Sequence, residues 1–157
     1  MSTAIAINPR IIEGLYCEAL VLSDEVRETF DLSRREMALL TEDDAARVAL
    51  TCEALRTTTR MMHALAWLLN HRAFCMGELS EFQLRRNSRL SPEYPQAEPS
   101  RIAVLKPEIL ALIATTERFY ARLVRLDRDW HRFDPAAPSA VSRLRERLSQ
   151  SVGVAAN

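Results

Sequence analysis

Residues 41–77, TEDDAARVALTCEALRTTTRMMHALAWLLNHRAFCMG, hold no proline, and their one glycine is the last residue. Thr41 with Asp44 three residues on resembles a capping box, and Glu42, Asp43 and Asp44 place negative charge at a helix's positive end. With nothing to break it before Gly77, the segment predicts one helix over about 42–76, on the order of 50 Å long. Val48, Cys52, Leu55, Thr59, Met62, Ala66, Leu69, Ala73 and Met76 recur at three- and four-residue steps and are expected to face the core.

Between Met61 and Phe74 the same helix is apolar nearly all round, which predicts burial on more than one side. Trp67 and Phe74 lie roughly 120° to 140° from Met62 at 100° per residue, sharing a side with Arg60, His63 and His71. Aromatic and arginine side chains together have the makeup of an interface hot spot, so Arg60, His63, Trp67, His71 and Phe74 form a candidate dimer interface. The competing reading covers Trp67 within the chain, by the segment from Val141 to Leu148 or by the crossover that precedes it.

Outward from this spine, Asn8-Pro9 is a helix start, with an amide-capping side chain before a proline that loses nothing at the first position. Ile12, Leu15, Tyr16, Ala19, Leu22, Val26 and Phe30 then form one stripe, predicting a helix over about 9–32 and a linker through Arg34 and Arg35. Gly77 ends or bends the long helix, and Ser80 starts a short amphipathic continuation to Arg86. Pro92, Pro95 and Pro99 mark a crossover. Pro107 opens a further helix over about 107–133, with Ile109, Leu112, Ile113, Thr116, Tyr120, Leu123 and Trp130 on its apolar face. A short amphipathic segment with Val141, Leu144 and Leu148 lies in a tail over 139–157.

The 157 residues suit one domain. The expected architecture is all-α: a three-helix bundle of long antiparallel helices, with the proline-rich crossover between the second and third. Gly14, Gly77 and Gly153 are the only glycines, which rules out both a GxGxxG dinucleotide loop and a GxxxxGK[ST] phosphate loop. Lys+Arg and Asp+Glu number 21 each, so no global field favours nucleic acid or an anionic membrane. Acidic residues gather before Leu55 and basic ones after Arg56, as suits an acidic helix lying beside basic ones. The N-terminus lacks a basic region and a long apolar core, and no apolar run is long enough for a membrane span; the expected location is the cytoplasm.

No catalytic constellation stands out, and no cofactor is expected. His71 and Cys75 share a helix face, but two ligands fall short of a zinc site, and His63 is two turns too far to join them. The absence of Glu-x-x-His excludes the usual di-iron bundle. Cys52 and Cys75 would stand roughly 35 Å apart on one helix and cannot pair within a chain. Asp127 projects from the apolar side of its helix and needs a partner. If the second and third long helices are antiparallel, Asp127 comes level with Arg56, which predicts a buried ion pair with Arg56 or Arg60. Arg118, Arg125, Arg128 and Arg132 share an arc opposite the apolar face. A solvated face is the simpler reading, and a nucleic-acid-associated regulator the alternative.

Two segments resemble the regulator-of-CtrA-degradation (RcdA) family of alphaproteobacterial adaptors. The first is Thr59-Arg60-Met61-Met62-His63-Ala64-Leu65-Ala66-Trp67-Leu68-Leu69-Asn70-His71-Arg72-Ala73 followed by Gly77-Glu78-Leu79. The second is Phe119-Tyr120-Ala121-Arg122-Leu123-Val124-Arg125-Leu126-Asp127. The sequence departs from the family pattern at His63, His71 and the crossover. The resemblance implies a bundle that dimerises and acts without catalysis. Such adaptors tether response-regulator-like adaptors or substrates to the ClpXP protease in cell-cycle-linked proteolysis.

Overall fold

The computed structural model describes residues 6–40, 43–92 and 99–132. These form α1 (Pro9–Leu40), α2 (Asp44–Cys75), α3 (Glu81–Asn87), α4 (Pro99–Ile102) and α5 (Pro107–Arg132), with no strand among the described residues. The protein is all-α, and three of its helices are long.

Asn8 caps α1, its Oδ1 accepting the Arg10 N–H at 2.9 Å. The expected end near Leu32 is corrected: Arg34 and Arg35 continue the helix, which runs to Leu40. Nothing between them breaks a helix, and buried Ser33 with half-buried Met37 carries the inward stripe another two turns. Asp43 caps α2, accepting from the N–H groups of Ala45 at 3.0 Å and Ala46 at 3.4 Å. The expected Thr41 cap lies outside the described residues.

At the far end of α2, Glu78 N–H returns to Ala73 O at 2.9 Å and Gly77 N–H to Phe74 O at 3.0 Å, a Schellman closure. Gly77 holds φ +78° there, so only the backbone requires glycine: an added Cβ would meet nothing within 4 Å. Gly77→Ala is expected to cost about 1 kcal/mol from the left-handed conformation alone, checked by the shift in urea midpoint at constant slope. Ser80 then opens α3 through a full capping box with Gln83.

Ion pairs fix the helix directions. Arg72, near the end of α2, holds Glu13 near the start of α1, its Nε 2.8 Å from Oε2. Arg122 holds Glu18, and Lys106 at the start of α5 holds Glu36 late in α1. Helix α1 is thus antiparallel to both α2 and α5, so α2 and α5 run in the same direction, against the expectation that they oppose. The connection causes this: after α2 the chain travels back along the helices before α5 begins. Tyr120 Oη–H donates to Ser91 O at 3.1 Å on the way, and α4 lies against α2.

The stripes expected on α1 and α5 are the buried ones, with Tyr16 half-buried and Asp127 inside as placed. On α2 the expected face is reversed. Val48, Leu55, Met62, Leu69 and Met76 are exposed, while Leu50, Glu53, Thr57, Arg60, Met61, Ala64, Trp67, Leu68 and His71 are buried. The two sets lie roughly opposite each other at 100° per residue. The buried face carries polar groups with partners inside the protein: Glu53 accepts from Arg56 at 2.7 Å, and Arg60 donates to Thr116 Oγ1 at 2.9 Å and meets Glu117 at 3.3 Å. Satisfied in this way, Glu53 and Arg60 tolerate burial, while Thr57 Oγ1 and His71 Nε2 have no hydrogen-bond partner among the described residues, and a face chosen by hydrophobicity alone falls on the wrong side. The tail segment from Val141 to Leu148 lies outside the described residues.

Candidate protein-binding site

Two features of α2 frame the site: a buried polar node on its inner side and a bare apolar stripe on its outer side. At the node, Trp67 is 2% exposed and its Nε1–H donates to Asp127 Oδ1 at 2.8 Å. The other carboxylate oxygen accepts the backbone N–H of Leu90 at 3.2 Å, and His131 Nδ1 stands 3.2 Å from Oδ1. Asp127 therefore has buried partners, but they are not Arg56 or Arg60. Arg56 turns to Glu53 on its own helix, and Arg60 reaches α5 at Thr116 and Glu117. With α2 and α5 running the same way, Arg60 lies level with an earlier part of α5 and Trp67 takes the place beside Asp127. Both carboxylate oxygens hold donors, so the group fastens the crossover to α5 rather than presenting a free base.

His71 lies one turn beyond Trp67, its ring centroid 4.0 Å from that of Trp67 and 5.2 Å from that of Trp130. Burial, and secondarily the nearby His131, lowers its pKa to about 4, so the imidazole is neutral at pH 7. The Arg85 guanidinium from α3 covers Trp130 at 4.4 Å from the ring centre. The interface candidates thus separate. Arg60, Trp67 and His71 are inside, with Trp67 covered within the chain by Asp127 and by the aromatic ring of His71; Phe74 is half-buried and His63 exposed. They do not share one surface.

The outer side of α2 is what hydrophobicity alone misread. Leu55 is 69% exposed, Met62 62% and Leu69 47%, with Val48 and Met76 also bare. The signal that finds it is a spacing of seven: Val48, Leu55, Met62, Leu69 and Met76 in one series, and Cys52, Thr59, Ala66 and Ala73 in another four residues after the first. Such a two-position seam is narrower than the face of a globular core helix and has the width of a coiled-coil seam. Beside it a groove of about 460 Å³ opens between α1 and α2, lined by Val26, Phe30, Leu55, Met61, Met62 and Leu65. Among the described residues no three His, Cys, Asp or Glu side chains converge as a metal site.

These features define an all-helical protein with an exposed apolar helix face, and no helix of it, among the described residues, is long and apolar enough to cross a membrane. The chain belongs to the family described as "Protein of unknown function (DUF1465)", whose sequence model matches residues 3–152. No curated protein and no solved structure matches it.

Proposed function

We propose that this chain is a non-catalytic adaptor: a three-helix bundle that works as a homodimer in the cytoplasm and tethers other adaptors or substrates to the ClpXP protease. The resemblance of residues 59–73 and 119–127 to the RcdA family supports the proteolytic role. The observation that carries a binding role is the bare apolar stripe of α2, because contiguous exposed apolar surface marks a place where another protein docks. The polar groups of the interior add support of a different kind, since Asp127 and Arg60 are each engaged in holding α2 to α5, and Glu53 is engaged by Arg56 on its own helix.

A reconstituted reaction tests the proposal: purified ClpXP, a response-regulator-like adaptor and a substrate that depends on it, with and without this chain. Faster substrate loss in its presence is expected, and an unchanged rate would overturn the adaptor role. A DNA mobility shift that weakens steeply with salt, alongside that unchanged rate, would favour the exposed arginines Arg118, Arg125, Arg128 and Arg132 of α5 instead.

A further inference from the structure

The outer stripe of α2 is more specific than an apolar patch, because its two series differ in size. Val48, Leu55, Met62, Leu69 and Met76 are large, whereas Ala45, Cys52, Thr59, Ala66 and Ala73 are small. In a parallel pair of such helices, like positions meet. Met62 would then crowd Met62 in one layer, and Ala66 would face Ala66 across a gap in the next. In an antiparallel pair each series meets the other. Val48 then packs on Ala73 of the partner subunit, Cys52 on Leu69 of the partner subunit, Leu55 on Ala66 of the partner subunit, and Thr59 on Met62 of the partner subunit. Every layer receives one large and one small side chain, the alternation that lets facing surfaces interdigitate without voids. The residues beside the seam carry one carboxylate, Asp44 at its very start; Thr51, Arg56, Thr58, His63, Leu65 and Asn70 carry none.

We propose that this stripe is the interface between two copies of the chain, paired antiparallel through α2 about a two-fold axis between Thr59 and Met62. The proposal rests on the dimeric reading above and names its surface. A second copy is the occupant that fits. The seam runs from Ala45 to Met76, on the order of 45 Å, and this register pairs all ten of its positions, whereas a slip of one heptad leaves two on each chain without a counterpart. The amphipathic tail segment offers Val141, Leu144 and Leu148, enough apolar positions for about two of those layers. The pairing also sets the opposed ends of two helix dipoles side by side.

Cysteine trapping tests the register. In a chain carrying Cys17→Ser and Cys75→Ser, which removes both exposed thiols, Cys52 is the remaining cysteine. Adding Leu69→Cys places that thiol opposite Cys52 of the partner subunit, so mild oxidation with diamide is expected to give a covalent dimer. Without Leu69→Cys no covalent dimer is expected, because the two Cys52 side chains stand about 25 Å apart in this register. Met62→Lys is expected to convert the native-size dimer, measured by light scattering, to a monomer. Its melting curve as a monomer should be intact, since Met62 touches solvent within one chain.

A Cys52-to-Cys52 link without Leu69→Cys would show a parallel pair and overturn the register. A dimer that survives Met62→Lys would overturn this surface while leaving dimerisation standing, and a monomeric wild type would overturn both. None of these outcomes depends on protease delivery, so the adaptor role stands or falls separately.

Discussion

Asp127→Ala is expected to lower stability by about 3–5 kcal/mol, or roughly 10 °C in melting temperature for a chain of this size. The carboxylate holds two buried donors from different parts of the chain, Trp67 Nε1–H from α2 and Leu90 N–H from the crossover. Alanine leaves both inside without an acceptor, and each unpaired buried donor costs about 1–3 kcal/mol. Asp127→Asn keeps one oxygen but turns an NH₂ group toward the second donor, so an intermediate loss is expected. Thermal denaturation gives the magnitude, and hydrogen exchange gives the location: the Leu90 amide should lose protection first. An unchanged melting temperature in the alanine variant would remove Asp127 as the fastening point of the crossover.

The second large effect is a dependence on pH carried by His71. Its folded pKa is about 4 against an ordinary value of 6.5, because burial among Trp67 and Trp130 penalises the charged ring. The unfolded chain therefore takes up a proton as pH falls through about 6.5, while the folded chain resists until about 4. The unfolded state is favoured across that window. Stability contributed by neutral His71 is complete above pH 6.5 and declines by about 2–3 kcal/mol on the way to pH 4. His71→Phe keeps an apolar aromatic ring in the slot, and Nε2 has no hydrogen-bond partner among the described residues to lose. The variant should flatten the fall in unfolding free energy between pH 6.5 and 5, before most carboxylates titrate. Parallel curves for the two proteins would assign the fall to groups other than His71.

These two residues also show what a sequence discloses and what it withholds. Asp127 was legible as a buried carboxylate in need of a partner, since it breaks an otherwise apolar face. Its actual partners were not, because they follow from the direction of α5 relative to α2, and a connection of that length permits either direction. The inward faces of α1 and α5 were legible because polar and apolar residues separate cleanly around them. On α2 that separation is lost: Glu53, Thr57, Arg60 and His71 lie on the buried side and five large apolar residues on the open one. Hydrophobicity ranks the second side as core. The pairing of Arg60 with Thr116 and of Trp67 with Asp127, which reverses the ranking, involves residues more than fifty positions apart. Local chemistry read more faithfully, as Asn8, Gly77 and Ser80 each occupy the helix end their side chain, or lack of one, suits.

The shared direction of α2 and α5 has a consequence for how the chain assembles. Only residues 41–43 separate α1 from α2, so those two helices can close on each other early and at little entropic cost. Helix α5 meets α2 through contacts such as Trp67 to Asp127, sixty residues apart, and only after the crossover has retraced the length of the pair. Folding should therefore proceed from an α1–α2 hairpin to a later docking of α5, and opening should run in reverse, with α5 and the crossover leaving together. The stripe on the outside of α2 is already complete at the hairpin stage. If the proposed pairing holds, its surface is therefore available before either chain has gathered its last helix.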